Sequence, residues 1–146
     1  MKKILLASLI AISFIQAKEL NPSMQGFMND LSVEAKKQNP NIQGFDYARG
    51  EVIFTTKQIG KKGNPISCVS CHTNDLSQNG LNEHTNKVIE PLSPSANPNR
   101  FTDVKEVKKW LRRNFKDVYN REGTALEQGD VITYIIEPLA DSHKSS

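Results

Sequence analysis

Cys68-Val69-Ser70-Cys71-His72 reads C-x-x-C-H, the spacing that attaches haem covalently. Each thiol can form a thioether to one haem vinyl group, and the histidine that follows is placed to ligate the iron from one face. Three other chemistries use related patterns. A redox dithiol also reads C-x-x-C, but it belongs in a βαβ unit, and no such pattern surrounds Cys68. Zinc takes about four ligands, and the chain offers two Cys and three His (His72, His84, His143). A plain Cys68–Cys71 disulfide is the simplest alternative. The five residues taken together favour one covalently attached haem c, tethered through Cys68 and Cys71, with His72 as proximal iron ligand.

The start of the chain bears on compartment. Lys2 and Lys3 precede an apolar run over 5–15, and Ala17 offers a small residue for cleavage. This predicts a secretory signal peptide over 1–17; a membrane span needs about 20 apolar residues, and Lys18-Glu19 stops the run early. The expected domain is then 18–146, with a haem core of about 43–140, and no membrane span remains in the mature chain. Export to the periplasm suits covalent haem, which bacteria attach outside the cytoplasmic membrane.

Of the 146 residues, 19 are Lys or Arg and 16 are Asp or Glu, a formal charge of +3. Removing Lys2 and Lys3 leaves +1, so charge balance gives no argument for nucleic acid. Only 37% of the chain is hydrophobic. A large apolar macrocycle would help to fill so lean a core.

Four helices are legible around the motif. Asn21-Pro22 opens the first, over 20–37, with Met24, Phe27, Met28, Leu31 and Ala35 at helical spacing. The second runs over about 46–58. The third starts near Thr102 as N-cap and carries Val107, Leu111, Phe115 and Val118 in one stripe. The fourth opens on Thr124-Ala125-Leu126-Glu127, a capping box, buries Val131, Tyr134 and Ile135, and ends at Pro138. Residues 73–100 form a long Pro-punctuated loop, which a compact domain accepts when the loop serves a site. No convincing strand is visible.

This all-α arrangement resembles a class I cytochrome c, folded around one covalently bound haem. Gly50-x-x-x-Phe54 fits the resemblance, which implies close packing of a glycine-bearing helix across the last helix, with Tyr134 as aromatic partner.

The second axial position is less clear from the residues. All three Met residues precede Cys68, so the usual downstream Met is missing. His84, His143, a lysine, Asn114 or no ligand remain. Asn114 falls at the edge of the third helix's apolar stripe, between Val107 and Trp110 on a helical wheel, where an amide needs a partner.

The run Pro91-Leu92-Ser93-Pro94-Ser95-Ala96-Asn97-Pro98-Asn99-Arg100-Phe101-Thr102-Asp103, with Trp110-Leu111-Arg112-Arg113-Asn114 after it, is similar to the SHP-type cytochromes c (sphaeroides haem protein). The resemblance implies that Asn114 is the distal iron ligand, bound when the iron is oxidised and lost on reduction. It implies a diatomic ligand, oxygen or nitric oxide, at the vacated position. It implies an electron donor, either a diheme cytochrome c or a membrane cytochrome b. Arg100 is a candidate partner for a haem propionate. The family's cysteine pair falls at Phe115 and Gly123, so that disulfide is absent here. A simple six-coordinate electron carrier, through His84, and an enzyme converting oxygen or nitric oxide are the alternatives. No acid–base pair committed to catalysis is visible.

Overall fold

The computed structural model describes residues 19–136. The expected signal segment 1–17, Pro138 and His143 lie outside the described residues. No helix among those described is long and apolar enough to cross a membrane.

Helix α1 spans Pro22–Gln38. Asn21 Oδ1 accepts from the Met24 N–H at 2.9 Å, and Pro22 occupies the first turn, where no donor is needed. Met24, Phe27, Leu31 and Ala35 are buried, three or four residues apart. The other Asn21 amide atom, Nδ2, donates to the Thr102 carbonyl at 2.8 Å and ties α1 to the approach to α4.

Helix α2 spans Tyr47–Thr55, capped by Asp46, whose side chain accepts from the Arg49 N–H. It stops three residues short of the expected end. From Thr56 the backbone is extended, and Gln58–Ile59 (β1) pairs antiparallel with Pro65–Ile66 (β2). A second two-residue pair joins Gly80–Leu81 (β3) to Val88–Ile89 (β4). The expectation of no strand is thus corrected by two ladders too short to show alternation.

The motif itself forms a single turn, α3 (Val69–His72). Helix α4 spans Val104–Tyr119, and its N-cap is Asp103 rather than Thr102. Asp103 Oδ1 accepts from the Lys105 and Glu106 N–H groups, whereas the Thr102 hydroxyl donates to the Asn99 carbonyl at 2.7 Å. The left-handed Asn120 (φ 57°) ends α4, as asparagine can.

Helix α5 spans Ala125–Ile136 and is the centre of the core. It is more completely buried than its stripe of Val131, Tyr134 and Ile135 suggested: Asp130, Ile132 and Thr133 are buried too. It packs against α2 and α1. At the α2–α5 crossing a Cβ on Gly50 would drive into the Asp130 carbonyl and sit 2.8 Å from Tyr134 Cβ. Gly129 meets the Phe45 ring with as little room. Gly50 lets the two helix backbones approach, and Gly129 makes room for the Phe45 ring. The Tyr134 ring then packs at a tilt against Phe54, with centroids 5.3 Å apart, and against Tyr47, at 5.1 Å.

The capping box at the start of α5 is fully formed. Thr124 N–H donates to Glu127 Oε2 at 2.8 Å, and Glu127 N–H donates to Thr124 Oγ1 at 3.2 Å. Arg121 adds two contacts of 2.7 Å to the Glu127 carboxylate. First the Arg121 hydrogen bonds, then the Thr124 N–H, hold the Glu127 carboxyl below its usual range, against the opposing effect of its burial. A lowered folded-state value means stability that is present above the ordinary glutamate value of about 4.3 and is lost as pH falls below it. Glu127→Gln is therefore expected to cost about 1 kcal/mol at pH 7 and progressively less below about pH 4.3 in urea unfolding. An unchanged gap at pH 3 would assign the effect to packing rather than charge.

Candidate haem site

Residues 67–72 fold as one hydrogen-bonded turn. The Ser67 N–H donates to Ser70 Oγ at 3.1 Å, and the N–H groups of Cys71 and His72 both point to the Cys68 carbonyl, at 3.2 and 3.0 Å. Ser67 is buried; Cys68, Cys71 and His72 are half-buried. The turn is buttressed from behind by β3: a Cβ on Gly80 would overlap the Cys71 carbonyl and lie 3.0 Å from His72 Cα. Gly80 reads in sequence only as loop punctuation, so this role was not legible there.

Cys68 and Cys71 are not joined to each other by a disulfide. Burial, and then Cys71, push the Cys68 thiol up to about 12. No cluster of three or more metal-holding side chains occurs among the described residues. Burial, and then the positive charge of Arg100, lower the His72 imidazole from 6.5 to about 4. A neutral imidazole is the form that ligates a metal. The His72 ring lies 6.0 Å from that of Phe54, which joins the site to the α2–α5 crossing through Tyr134. Half-buried Cys68, Val69, Leu76 and Trp110 pack against the same apolar core as Leu92, Phe101 and Leu111. A donor set of two thiols and a neutral imidazole beside a half-covered apolar wall fits a covalently tethered haem.

The loop after the motif is held at both ends. Ser93 N–H donates to the Leu76 carbonyl at 2.9 Å, and Leu92 and Phe101 are buried anchors. Phe101 adopts a left-handed backbone (φ 56°) that is costly for a bulky residue, and its ring meets Trp110 edge-on at 5.8 Å. Arg100 spends two donors inside the loop, Nε on the Pro91 carbonyl at 2.9 Å and Nη2 on the Glu90 carbonyl at 2.8 Å. It is therefore a loop clamp first, and Nη1 makes no hydrogen bond among the described residues.

Asn114 lies on the inner side of α4, half-buried, one residue before buried Phe115. Its side-chain amide makes no hydrogen bond among the described residues. His84, by contrast, is exposed in the turn between β3 and β4, where its N–H donates to Asn82 Oδ1. Met24 is fully buried on α1, as a packing residue. Tyr119 was not singled out by sequence. Its hydroxyl donates to the Ile53 carbonyl at 2.6 Å, linking α4 to α2 beside Cys68. Phe115 and Gly123 are also in contact: a Cβ on Gly123 would come within 2.7 Å of the Phe115 ring. The two positions where the family resemblance expects a disulfide are thus joined by packing.

A family described as "domain of unknown function (DUF1924)" matches residues 40–135. The chain is 41% identical over 90 residues to cytochrome c-type protein SHP of Cereibacter sphaeroides, covering 62% of this chain and 69% of that one. It is 32% identical over 87 residues to cytochrome c'' of Methylophilus methylotrophus, covering 60% of each. Among solved structures, that of oxidized SHP, "an oxygen binding cytochrome c", aligns with a TM-score of 0.67 at 33% identity, over 81% of this chain and 97% of the other. Oxidized cytochrome c'' aligns with a TM-score of 0.70 at 27% identity, over 77% and 92%. A solution structure of the latter, whose subject is haem-ligand detachment, gives 0.70 at 27% identity, over 80% and 94%.

Proposed function

We propose that this chain, which belongs to the DUF1924 family and to the SHP-type cytochromes c and carries covalently bound haem c, is an exported gas-binding cytochrome of the periplasm. It accepts electrons from another cytochrome, a diheme cytochrome c or a membrane cytochrome b. When Asn114 leaves on reduction, a diatomic ligand, oxygen or nitric oxide, takes its place. The observation that carries this reading is Asn114: a half-buried amide on the inner side of α4, without a hydrogen-bond partner among the described residues, at the position where the family resemblance implies the distal ligand.

When bound, the haem would supply a one-electron iron centre. The protein supplies the rest. Cys68 and Cys71 tether the group to the α3 turn, which Ser70 and Gly80 hold rigid. His72 presents a neutral imidazole from the same turn. Arg100 faces the site with its clamp geometry already set, and its remaining donors suit a propionate. The Asn114 amide oxygen is a weak, hard donor, better matched to ferric than to ferrous iron. Because Asn114 is only half-buried, its freed amide can turn to water, so release strands no buried polar group. The name of the SHP structure, an oxygen-binding cytochrome, and the ligand detachment studied in cytochrome c'' both support this division of labour.

The reduced protein is expected to show a high-spin absorption spectrum that shifts on adding carbon monoxide. A low-spin ferrous spectrum unmoved by carbon monoxide would leave a permanently six-coordinate electron carrier.

A further inference from the structure

Charge is distributed very unevenly over this molecule. Helix α4 carries Lys105, Lys108, Lys109, Arg112, Arg113 and Lys116 against Glu106 and Asp117, a net +4. The remaining described residues hold nine basic and twelve acidic side chains, a net −3. Among the described residues α4 thus carries a net positive charge against a net negative remainder, with a smaller basic cluster at Lys57, Lys61 and Lys62.

Lys105, Lys108, Lys109, Arg112 and Lys116 recur at three- and four-residue spacing and share one stripe of α4. That stripe is exposed and faces away from Val107, Leu111, Phe115 and Val118. Two of its cations are paired, Lys109 to Glu106 at 3.2 Å and Lys116 to Glu122 at 3.0 Å. Lys105, Lys108 and Arg112 make no ion pair among the described residues. These three, with Lys109, border a notch of about 440 Å³ lined also by buried Phe27, over whose ring Lys108 Nζ sits at 4.7 Å, and by Glu122, whose carboxylate is paired with Lys116. Gly123, in contact with the Phe115 ring next to Asn114, closes the same notch.

We propose that this face of α4 is the docking surface for an acidic protein face, that of the electron donor, with a carboxylate-bearing loop seated in the Phe27 notch. The helix is about 24 Å long, enough to underlie one side of a standard interface. A separated charge distribution of this kind orients an acidic partner before contact and raises its association rate. A lipid surface fits less well. Binding in a bilayer interface needs apolar side chains beside the cations, and the exposed large apolar residues (Val33, Val52, Ile59, Leu81, Val88) all lie off α4.

This inference rests on the electron-accepting part of the proposed function, and its test is separable from the gas-binding part. The ferric holoprotein is reduced by photoreduced flavodoxin, an acidic protein probe, or by photoreduced riboflavin, a small neutral one. In each case one electron passes from the flavin, which is oxidised, to the iron, which is reduced. The rate with flavodoxin is expected to fall roughly tenfold from low to high ionic strength. In the variant Lys105→Gln/Lys108→Gln/Arg112→Gln it is expected to start near that lower value, while the riboflavin rate stays within about twofold of the wild type. An unchanged flavodoxin rate in the variant overturns the docking face. So does an equal loss with both reductants, which would report damage at the haem. So does a variant whose only deficit is binding to phosphatidylglycerol vesicles, which would make the face a membrane contact. Failure of carbon monoxide binding with steering intact would remove the gas-binding reading and leave the docking face standing.

Discussion

Arg49→Met is expected to destabilise the holoprotein by about 2–3 kcal/mol, the cost of leaving a buried carboxylate without two of its donors, tempered by the half-exposed arginine. Asp130 is 1% exposed in the middle of α5. Its carboxylate accepts three hydrogen bonds: Arg49 Nε at 2.8 Å, Arg49 Nη2 at 2.9 Å and the Asp46 N–H at 2.8 Å. The third Arg49 contact, Nη2 to the Gly44 carbonyl at 2.7 Å, fixes the chain entering α2. Two of the three donors to a buried carboxylate vanish with the arginine. Against a typical domain stability of about 5–15 kcal/mol, this is a substantial loss for one surface-reaching side chain. The same ion pair lies beside the Gly50 crossing that positions Phe54 against His72, so loosened haem absorption should accompany the loss. The double variant Arg49→Met/Asp130→Asn should recover much of the stability, because a neutral amide no longer demands a counter-charge. Urea unfolding followed by haem absorbance measures both. A cost below about 1 kcal/mol for the single variant would mean that water reaches Asp130 and the pair is a surface contact.

Arg49 and Asp130 also show where sequence reading stops. They are 81 positions apart, and an acidic residue in an apolar helix gives no address for its partner. By contrast, Gly50 was legible through the family resemblance, and the reason is steric: the α2–α5 approach leaves no volume for a Cβ. The caps at Asn21 and at Thr124/Glu127 were legible because each needs only residues three positions apart. Thr102 and Asp103 were not separable, since both side chains can cap. The choice is made by Asn21 and Asn99, which engage the Thr102 carbonyl and hydroxyl from distant or looped segments. The α3 turn was legible as chemistry but not as support: Gly80 is needed only because the β3–β4 hairpin folds back under Cys71. For the candidate iron site, Cys68, Cys71 and His72 could be named from one pentapeptide. Asn114 needed the whole Pro-rich run, because an asparagine on a helix edge has no spacing rule of its own.

Asn114→Ala is expected to change the ferric spectrum completely, to a five-coordinate or water-ligated haem, while leaving the ferrous, carbon-monoxide-binding form close to wild type. The asymmetry is the point. If the amide oxygen is bound in the oxidised state and free in the reduced state, truncation can be felt only in the oxidised state. Misfolding is a weak rival explanation, since Asn114 is half-buried and its amide makes no hydrogen bond among the described residues, so its removal should cost less than about 1 kcal/mol. Gly123→Ala provides the complementary perturbation. It leaves the amide in place but presses on the Phe115 ring, which must shift. This variant should retain a ligated ferric iron with altered affinity, and should be reduced at a shifted potential, because the packing that anchors α4 beside Asn114 has changed. A ferric spectrum untouched by Asn114→Ala would remove Asn114 from the iron, and with it the reason for expecting a gas-binding site on this face.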